Sequence, residues 1–257
     1  MHEDALRAAE RRYPPTDGWK PLEVTHDRER GLRLLVSDGS RHGMQSLDPA
    51  WADEPLGYFT RESPMADVLL GWGAGGRTGR VGVVGLGIGM SAAFAEPGQH
   101  YVFWEIDPRV AQIAQDASLF TFLSRCRGTA EVVVGDGLAC LEAAADGGLD
   151  VLVIDAFVGS FVPDEFIRRE ALALFRRKVA RDGLVVFHIN SRGQQLWPLR
   201  TMARALGLTC CDRADLDVEG ADPALCKEES HVVVLVRDAS VAPWLRDHPL
   251  WWTVPPT

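Results

Sequence analysis

Three glycines, Gly85, Gly87 and Gly89, follow directly on the apolar run VGVV at 81–84. A buried strand that runs into glycines turns tightly and brings backbone N–H groups against a ligand, and the start of the next helix adds its positive end. The dinucleotide fingerprint asks for a further glycine where Met90 stands. The G-x-G-x-G form seen here is instead the usual one in enzymes that bind S-adenosylmethionine and its relatives. These residues point to a nucleoside ligand rather than a pyrophosphate.

Carboxylates recur at the ends of the strands expected to follow. Glu105 closes YVFWE twenty residues beyond Gly85, where an acidic side chain in a doubly wound sheet accepts hydrogen bonds from both ribose hydroxyls. Capping of the next helix does not require it, because Asp107 precedes Pro108 and fills that role. Asp136 in VVVGDG is placed to accept the adenine amine, to cap the following helix, or both. Asp155 ends DVLVID, where a strand opens over the ligand crevice. Four sheet-end signals in this order specify a site better than any one of them.

The elements that must position these residues are legible as an alternation. Strands are expected at 81–84, 101–106, 131–134, 151–155 and 184–189, with helices at 90–95, 108–117, 137–145, 168–180 and 197–206. Continuous β-branched runs such as VLVID imply strands buried on both faces, as a helix-covered parallel sheet requires. LTCCDRA and SHVVVLVRD read as a final antiparallel pair. Upstream, LEVTHD, LRLLVSD and a segment around Met44 to Leu47 read as a small antiparallel meander. SPMADVLLG at 63–71 reads as a helix with Ser63 as N-cap and Pro64 at its first position. Residues 1–20, broken by Pro14, Pro15 and Gly18, read as a short helix or loose lead-in. The expected division is a lead-in at 1–20, a β-strand domain at 21–62, an α/β domain at 63–240 and a tail at 241–257.

Composition excludes several classes. The 257 residues are 46% hydrophobic and 25% charged, as in ordinary globular proteins. Acidic residues outnumber basic ones 36 to 27, for a net charge of -9, so the overall field repels nucleic acid and anionic lipid. No apolar stretch approaches a membrane span, and the charged N-terminus lacks the apolar segment of a signal peptide, so a cytoplasmic protein is expected. Five cysteines without a C-x-x-C pair suggest neither disulfides nor a zinc site, and no metal is expected.

With these motifs in place, the chain resembles the spermidine synthase (polyamine aminopropyltransferase) family. It is most similar to the synthase-like proteins related to the soluble half of fused transporter/synthase chains. The resemblance runs from about Leu32 to Arg237 through HGMQ (42–45), GYFT (57–60), VGVVGLGIG (81–89), EIDP (105–108), GDG (135–137), DAFVGSFVP (155–163) and DGLVVFHINSR (182–192). It implies a Rossmann-like methyltransferase fold, with a mostly parallel seven-stranded sheet and a small N-terminal β domain. By analogy Glu105, with Ile106 beside it, holds the ribose, and Asp136 and Gly137 hold the adenine. Gln45 and Tyr58 match positions at the mouth of the acceptor pocket, and Asp155 lies at the edge of the reaction centre. His42, next to the same pocket, joins Tyr58 and Asp155 as the expected catalytic set.

Two departures bear on the substrate. Family members carry an aspartate in the glycine loop that binds the aminopropyl amine, and Ile88 stands there; a second aspartate, which helps deprotonate the attacking amine, is replaced by Val158. Asp164 and Glu165 are candidate substitutes or plain first-turn acids of a helix. His188 is open between a base and a core histidine, and the eight tryptophans between an amine cage and packing. The leading expectation is a transferase that uses S-adenosylmethionine or its decarboxylated form to alkylate a small amine, releasing methylthioadenosine in aminopropyl-type transfer. The alternatives are a small-molecule methyltransferase and a non-catalytic nucleoside-binding protein. The apolar C-terminal PLWWTVPPT docks on the domain or on a neighbouring subunit, which leaves a homodimer open.

Overall fold

An Asp-Gly pair at 38–39 fixes the register of the N-terminal sheet. Asp38 and Gly39 both have positive φ, of 47° and 77°, and they join Ser37 to its cross-strand partner Ser40 in a two-residue hairpin turn. The computed structural model describes residues 20–189 and 192–255, together with the backbone of 7–13. Strands β1 (Arg7–Tyr13), β2 (Leu22–Asp27), β3 (Leu32–Ser37) and β4 (Ser40–Ser46) form an antiparallel sheet in that order. The lead-in expected as a helix or loose segment thus contains a strand. Paired along β2 from Arg7↔Asp27 to Tyr13↔Leu22, its backbone finds in that open edge a ladder which local propensity does not announce. The Pro14, Pro15 and Gly18 break lies outside the described residues.

The larger sheet has eight strands in the order β12-β10-β11-β9-β8-β5-β6-β7. Their bounds are β5 (Gly79–Val84), β6 (Gln99–Glu105), β7 (Thr129–Val134), β8 (Leu149–Ile154), β9 (Val179–Ile189), β10 (Thr209–Asp215), β11 (Ser230–Val236) and β12 (Trp252–Val254). Strands β5 to β9 pair in parallel, and β11, β10 and β12 are antiparallel additions. This is a Rossmann-like methyltransferase fold with a small β sheet before it. The eighth strand comes from the tail, where Cys210 to Asp212 pair with Val254 to Trp252.

Helices α1 (Pro64–Gly73), α2 (Pro108–Gln115), α3 (Gly137–Ala143), α4 (Asp164–Ile167), α5 (Arg169–Lys178), α6 (Leu196–Ala205) and α7 (Pro243–Arg246) fill the connections. Ser63 caps α1 through Ala66 N–H, and Asp107 caps α2 through Arg109 N–H. The helix expected at 90–95 is a 3₁₀ segment, Met90–Phe94. Met90, Ser91, Ala92 and Phe94 are all buried, and Gly89 before them is left-handed, with φ of 77°.

Alternation along the central strands separates two cores. Val81, Val83, Val151 and Val153 point to one face, shared with α1, α2 and the small sheet through Leu22, Val24, Leu34 and Met44. Leu152 and Ile154 point to the other, packed against Leu172 and Phe175 of α5 and Leu199 of α6. Both faces are therefore covered, and the ends of the strands are left to hold the site. Among the described residues no helix is long and apolar enough to cross a membrane.

Candidate active site

Strand order reverses at β5, with β6 and β7 on one side and β8 and β9 on the other. At such a point the crevice outside the carboxyl ends of the strands is where ligands bind in open α/β sheets. Asp155 N–H donates to the Val84 carbonyl at 2.9 Å, and a Cβ on Gly85 would collide with the Asp155 carbonyl oxygen. Glycine at 85, with φ of 95°, lets the two strand ends meet.

Glu105 is buried beside this loop. Its Oε2 accepts Leu86 N–H at 3.0 Å and its Oε1 accepts Asp107 N–H at 2.9 Å, which ties the glycine loop to the start of α2. Burial pushes the carboxyl above its ordinary range and outweighs the opposing pull of the Asp107 and Leu86 N–H bonds. A carboxylate has about four acceptor positions, so sites remain for a ribose diol. Ile106 and Val134, each 52% exposed at the ends of β6 and β7, present neighbouring apolar surface suited to a base. Asp136 Oδ1 accepts Ala139 N–H at 2.9 Å as the α3 cap, while its Oδ2 has no partner among the described residues. Gly137 is buried, and a Cβ there would press on Val84.

Across the crevice, Asp155 Oδ1 lies 2.7 Å from His188 Nδ1. His188 is near the end of β9, and its side chain is only 9% exposed. Tyr58 packs on the imidazole at 4.7 Å between ring centres, and Phe157 meets it edge-on at 5.2 Å. Burial pushes the Tyr58 phenol well above its ordinary value; the Asp155 charge adds to this, and Arg41 opposes it. Neither the Tyr58 hydroxyl nor His188 Nε2 has a hydrogen-bond partner among the described residues. Sequence reasoning left His188 open; the available signal was its place near the end of β9, the strand that pairs with β8, which ends just before Asp155.

His42 reaches the site through a β-bulge. Leu35 pairs with Gly43 and Val36 with Arg41, so His42 is the extra residue of β4. Its carbonyl oxygen would stand 2.5 Å from a Cβ on Gly87, whose φ is 54°. The residue is exposed, yet neighbouring protein desolvates its imidazole and holds its pKa below the ordinary value against the raising effect of Asp107 and Asp155.

Other expected residues fall elsewhere. Gln45 does not present its amide to the crevice: Nε2 donates to Ala52 O at 2.7 Å and to Thr121 Oγ1 at 2.6 Å, and Oε1 accepts Thr121 N–H at 3.0 Å. A buried amide with both hydrogens committed acts as a staple between β4 and the loop before β7. Asp164 and Glu165 are exposed in the first turn of α4, where the helix dipole accounts for them. Ile88 is buried in the space left by Gly43. Val158 is 72% exposed and bridges to Phe161. The five cysteines are free thiols, and burial, with the nearby Asp212 charge, pushes Cys210 up to about 12. Among the described residues no three His, Cys, Asp or Glu side chains converge on a metal position.

No family model matches the chain. A polyamine aminopropyltransferase of Vibrio vulnificus (strain CMCP6) is 32% identical over 112 residues, covering 42% of this chain and 36% of the relative. The match thus spans about a third of that protein's length. A probable spermidine synthase from Corynebacterium glutamicum superposes with a TM-score of 0.61 at 15% identity, over 95% of this chain and 90% of the other. The chain shares the fold of spermidine synthases. A second spermidine synthase, solved with the transition-state analogue AdoDATO, gives 0.60 at 13% identity over 92% and 77% of the two chains. Human methyltransferase-like protein 13, solved with SAH, gives 0.51 at 19% over 71% and 88%. At these identities the structural likenesses establish the fold. In this fold the glycine loop follows β5, Glu105 ends β6 and Asp155 directly follows β8.

Proposed function

We propose that the protein is a transferase that binds S-adenosylmethionine or its decarboxylated form and moves an aminopropyl-type group to a small amine, releasing methylthioadenosine. The observation that carries this reading is the position of Asp155. Its backbone abuts Gly85 of the nucleoside loop, and its carboxylate meets His188 in an aromatic recess with Tyr58 and Phe157. One residue thus joins a donor side to an acceptor side. The name of the Vibrio relative and the AdoDATO bound to a structural neighbour support the same assignment.

The residues fit such a donor. Gly85, Gly87 and Gly89 let the loop pack closely against Asp155, His42 and Leu123; Ile106 and Val134 offer apolar surface to the base, and Asp136 Oδ2 can accept its exocyclic amine. Glu105 would take the ribose hydroxyls. The donor's sulfonium supplies an electrophilic carbon, so the protein needs positioning and exclusion of water more than acid catalysis. Tyr58 and Phe157 provide apolar walls, and the Asp155 carboxylate orients a cationic acceptor and stabilises charge that develops on it.

Incubation with each sulfonium donor and a panel of small amines tests the assignment. Methylthioadenosine is the expected product. S-adenosylhomocysteine would replace this reading by methyl transfer, which Ile88 favours by removing the usual anchor for the aminopropyl amine. Neither product from any pairing leaves a nucleoside-binding protein.

A further inference from the structure

We propose that His188, held by Asp155, is the general base of the transfer and takes over the role of the carboxylate replaced by Val158. This inference rests on the transferase reading above. The ionised Asp155 carboxylate can only accept, so at 2.7 Å the His188 Nδ1 must carry the hydrogen and donate it. The neutral ring then has its lone pair on Nε2, which has no partner among the described residues. A nine-tenths buried imidazole fixed at one nitrogen and open at the other is the arrangement in which a carboxylate sets the tautomer of a base. Tyr58 and Phe157 hold the ring from two directions.

The other ionisable groups near the pair leave this role to His188. The Tyr58 phenol is held neutral by burial and by the Asp155 charge. His42 lies on the exposed β4 side within the field of Asp155 but makes no hydrogen bond to its carboxylate among the described residues, and Arg41 is paired with Glu228 beside Gly57. On β11 the partner of His188 is Val232; His231 pairs with Ile189, so it shares that residue's opposite face. Val158, with 72% of its surface exposed, offers no proton acceptor.

The step balances as follows. His188 Nε2 removes one proton from the acceptor ammonium, which leaves a neutral amine and an imidazolium paired with Asp155. The amine nitrogen forms a bond to the donor methylene as the bond from that carbon to sulfur breaks, and the electron pair stays on sulfur as a neutral thioether. The positive charge lost by the sulfonium appears on the alkylated nitrogen, and the imidazolium proton leaves to solvent.

Two measurements test the proposal. In nitrogen-15 NMR of the purified protein, neutral His188 should be the Nδ1–H tautomer, and should shift toward a tautomer mixture in Asp155→Asn; a neutral Nε2–H tautomer in the unmodified protein overturns the assignment without reference to activity. In kinetics, His188→Gln should lower kcat by at least ~100-fold, the scale of general-base assistance, with the donor KM little changed. It should also remove the acidic limb of the pH profile. A variant with an unaltered profile and a lower melting temperature makes His188 structural. Full activity in the variant overturns the base alone, whereas no nucleoside product from the unmodified protein overturns the transferase reading and the base with it.

Discussion

A carboxylate buried as Glu105 is answers acid in two opposite ways. Its folded-state pKa is raised by burial, so its contribution to stability is fully present below the unfolded value and is lost as pH rises through the raised folded one. Affinity for a nucleoside runs the other way, because the charged form is the better acceptor for ribose hydroxyls. Methylthioadenosine binding should therefore weaken on acidification at a higher pH than an ordinary glutamate would dictate, while the ligand-free protein gains stability over the same window. Calorimetric titration across pH checks the first effect and denaturant unfolding the second. Glu105→Gln keeps the size of the side chain but faces an amide toward N–H donors, and should weaken the nucleoside by about 1 to 3 kcal/mol; unchanged affinity would remove Glu105 from the site. Asp155 makes a different prediction. No loop N–H donates to its side chain among the described residues, and its bonded partner is His188. Asp155→Asn should accordingly melt close to the parent and turn over at least ~100-fold more slowly. An early-melting variant would assign Asp155 to the fold instead.

At the scale of elements, the β4 bulge and the glycine loop form one unit. His42 lies over Gly87, and Ile88 fills the space that Gly43 leaves. On sequence, Ile88→Asp restores the family's amine anchor. In the structure residue 88 is 1% exposed and surrounded by apolar packing, so the new carboxylate would lack a partner. The variant should lose roughly 3 to 5 kcal/mol, the range for an uncompensated buried charge, before any gain in donor preference can be read. A denaturant midpoint equal to the parent's would show that the loop opens and that the anchor is recoverable. Legibility followed the same division. The parallel strands were readable because VGVV and VLVI are buried on both faces, and the helix starts because Ser63 and Asp107 precede prolines. Glu105 and Asp155 were readable as strand-end carboxylates because each closes an apolar run. By contrast, β1 owes its existence to the open edge of β2, and β12 to that of β10, neither of which is a local property. The engagement of Gln45 depends on Thr121, 76 residues away. The pairing of His188 with Asp155 spans 33 residues and two strands, and no spacing rule encodes it.

Over the whole molecule, the expected boundary at residue 62 does not coincide with a gap in packing. Leu22, Val24, Leu34 and Met44 belong to the same buried cluster as Val81, Val83 and Val151. Polar links cross the same boundary: Arg33 Nη1 donates to the Ser118 carbonyl at 3.2 Å, and Arg213 Nη2 to the Glu62 carbonyl at 3.1 Å. Asp67 accepts from both Arg213 and Trp251 Nε1, the latter at 2.8 Å, which ties α1 to β10 and to the tail that supplies β12. A small sheet that shares its core and its charges with the large one has little reason to unfold alone. The expected outcome is one calorimetric transition, with van't Hoff and calorimetric enthalpies equal. Because the carbonyl of His42 from the small sheet sits on the glycine loop of the large one, a nucleoside bound there stabilises both. At 100 times its dissociation constant methylthioadenosine should add about 2.7 kcal/mol and raise the midpoint by roughly 5 to 10 °C without splitting the transition. A first transition that ignores the ligand, followed by a second that moves with it, would show that the two sheets are energetically separate and that the bulge at His42 does not couple them.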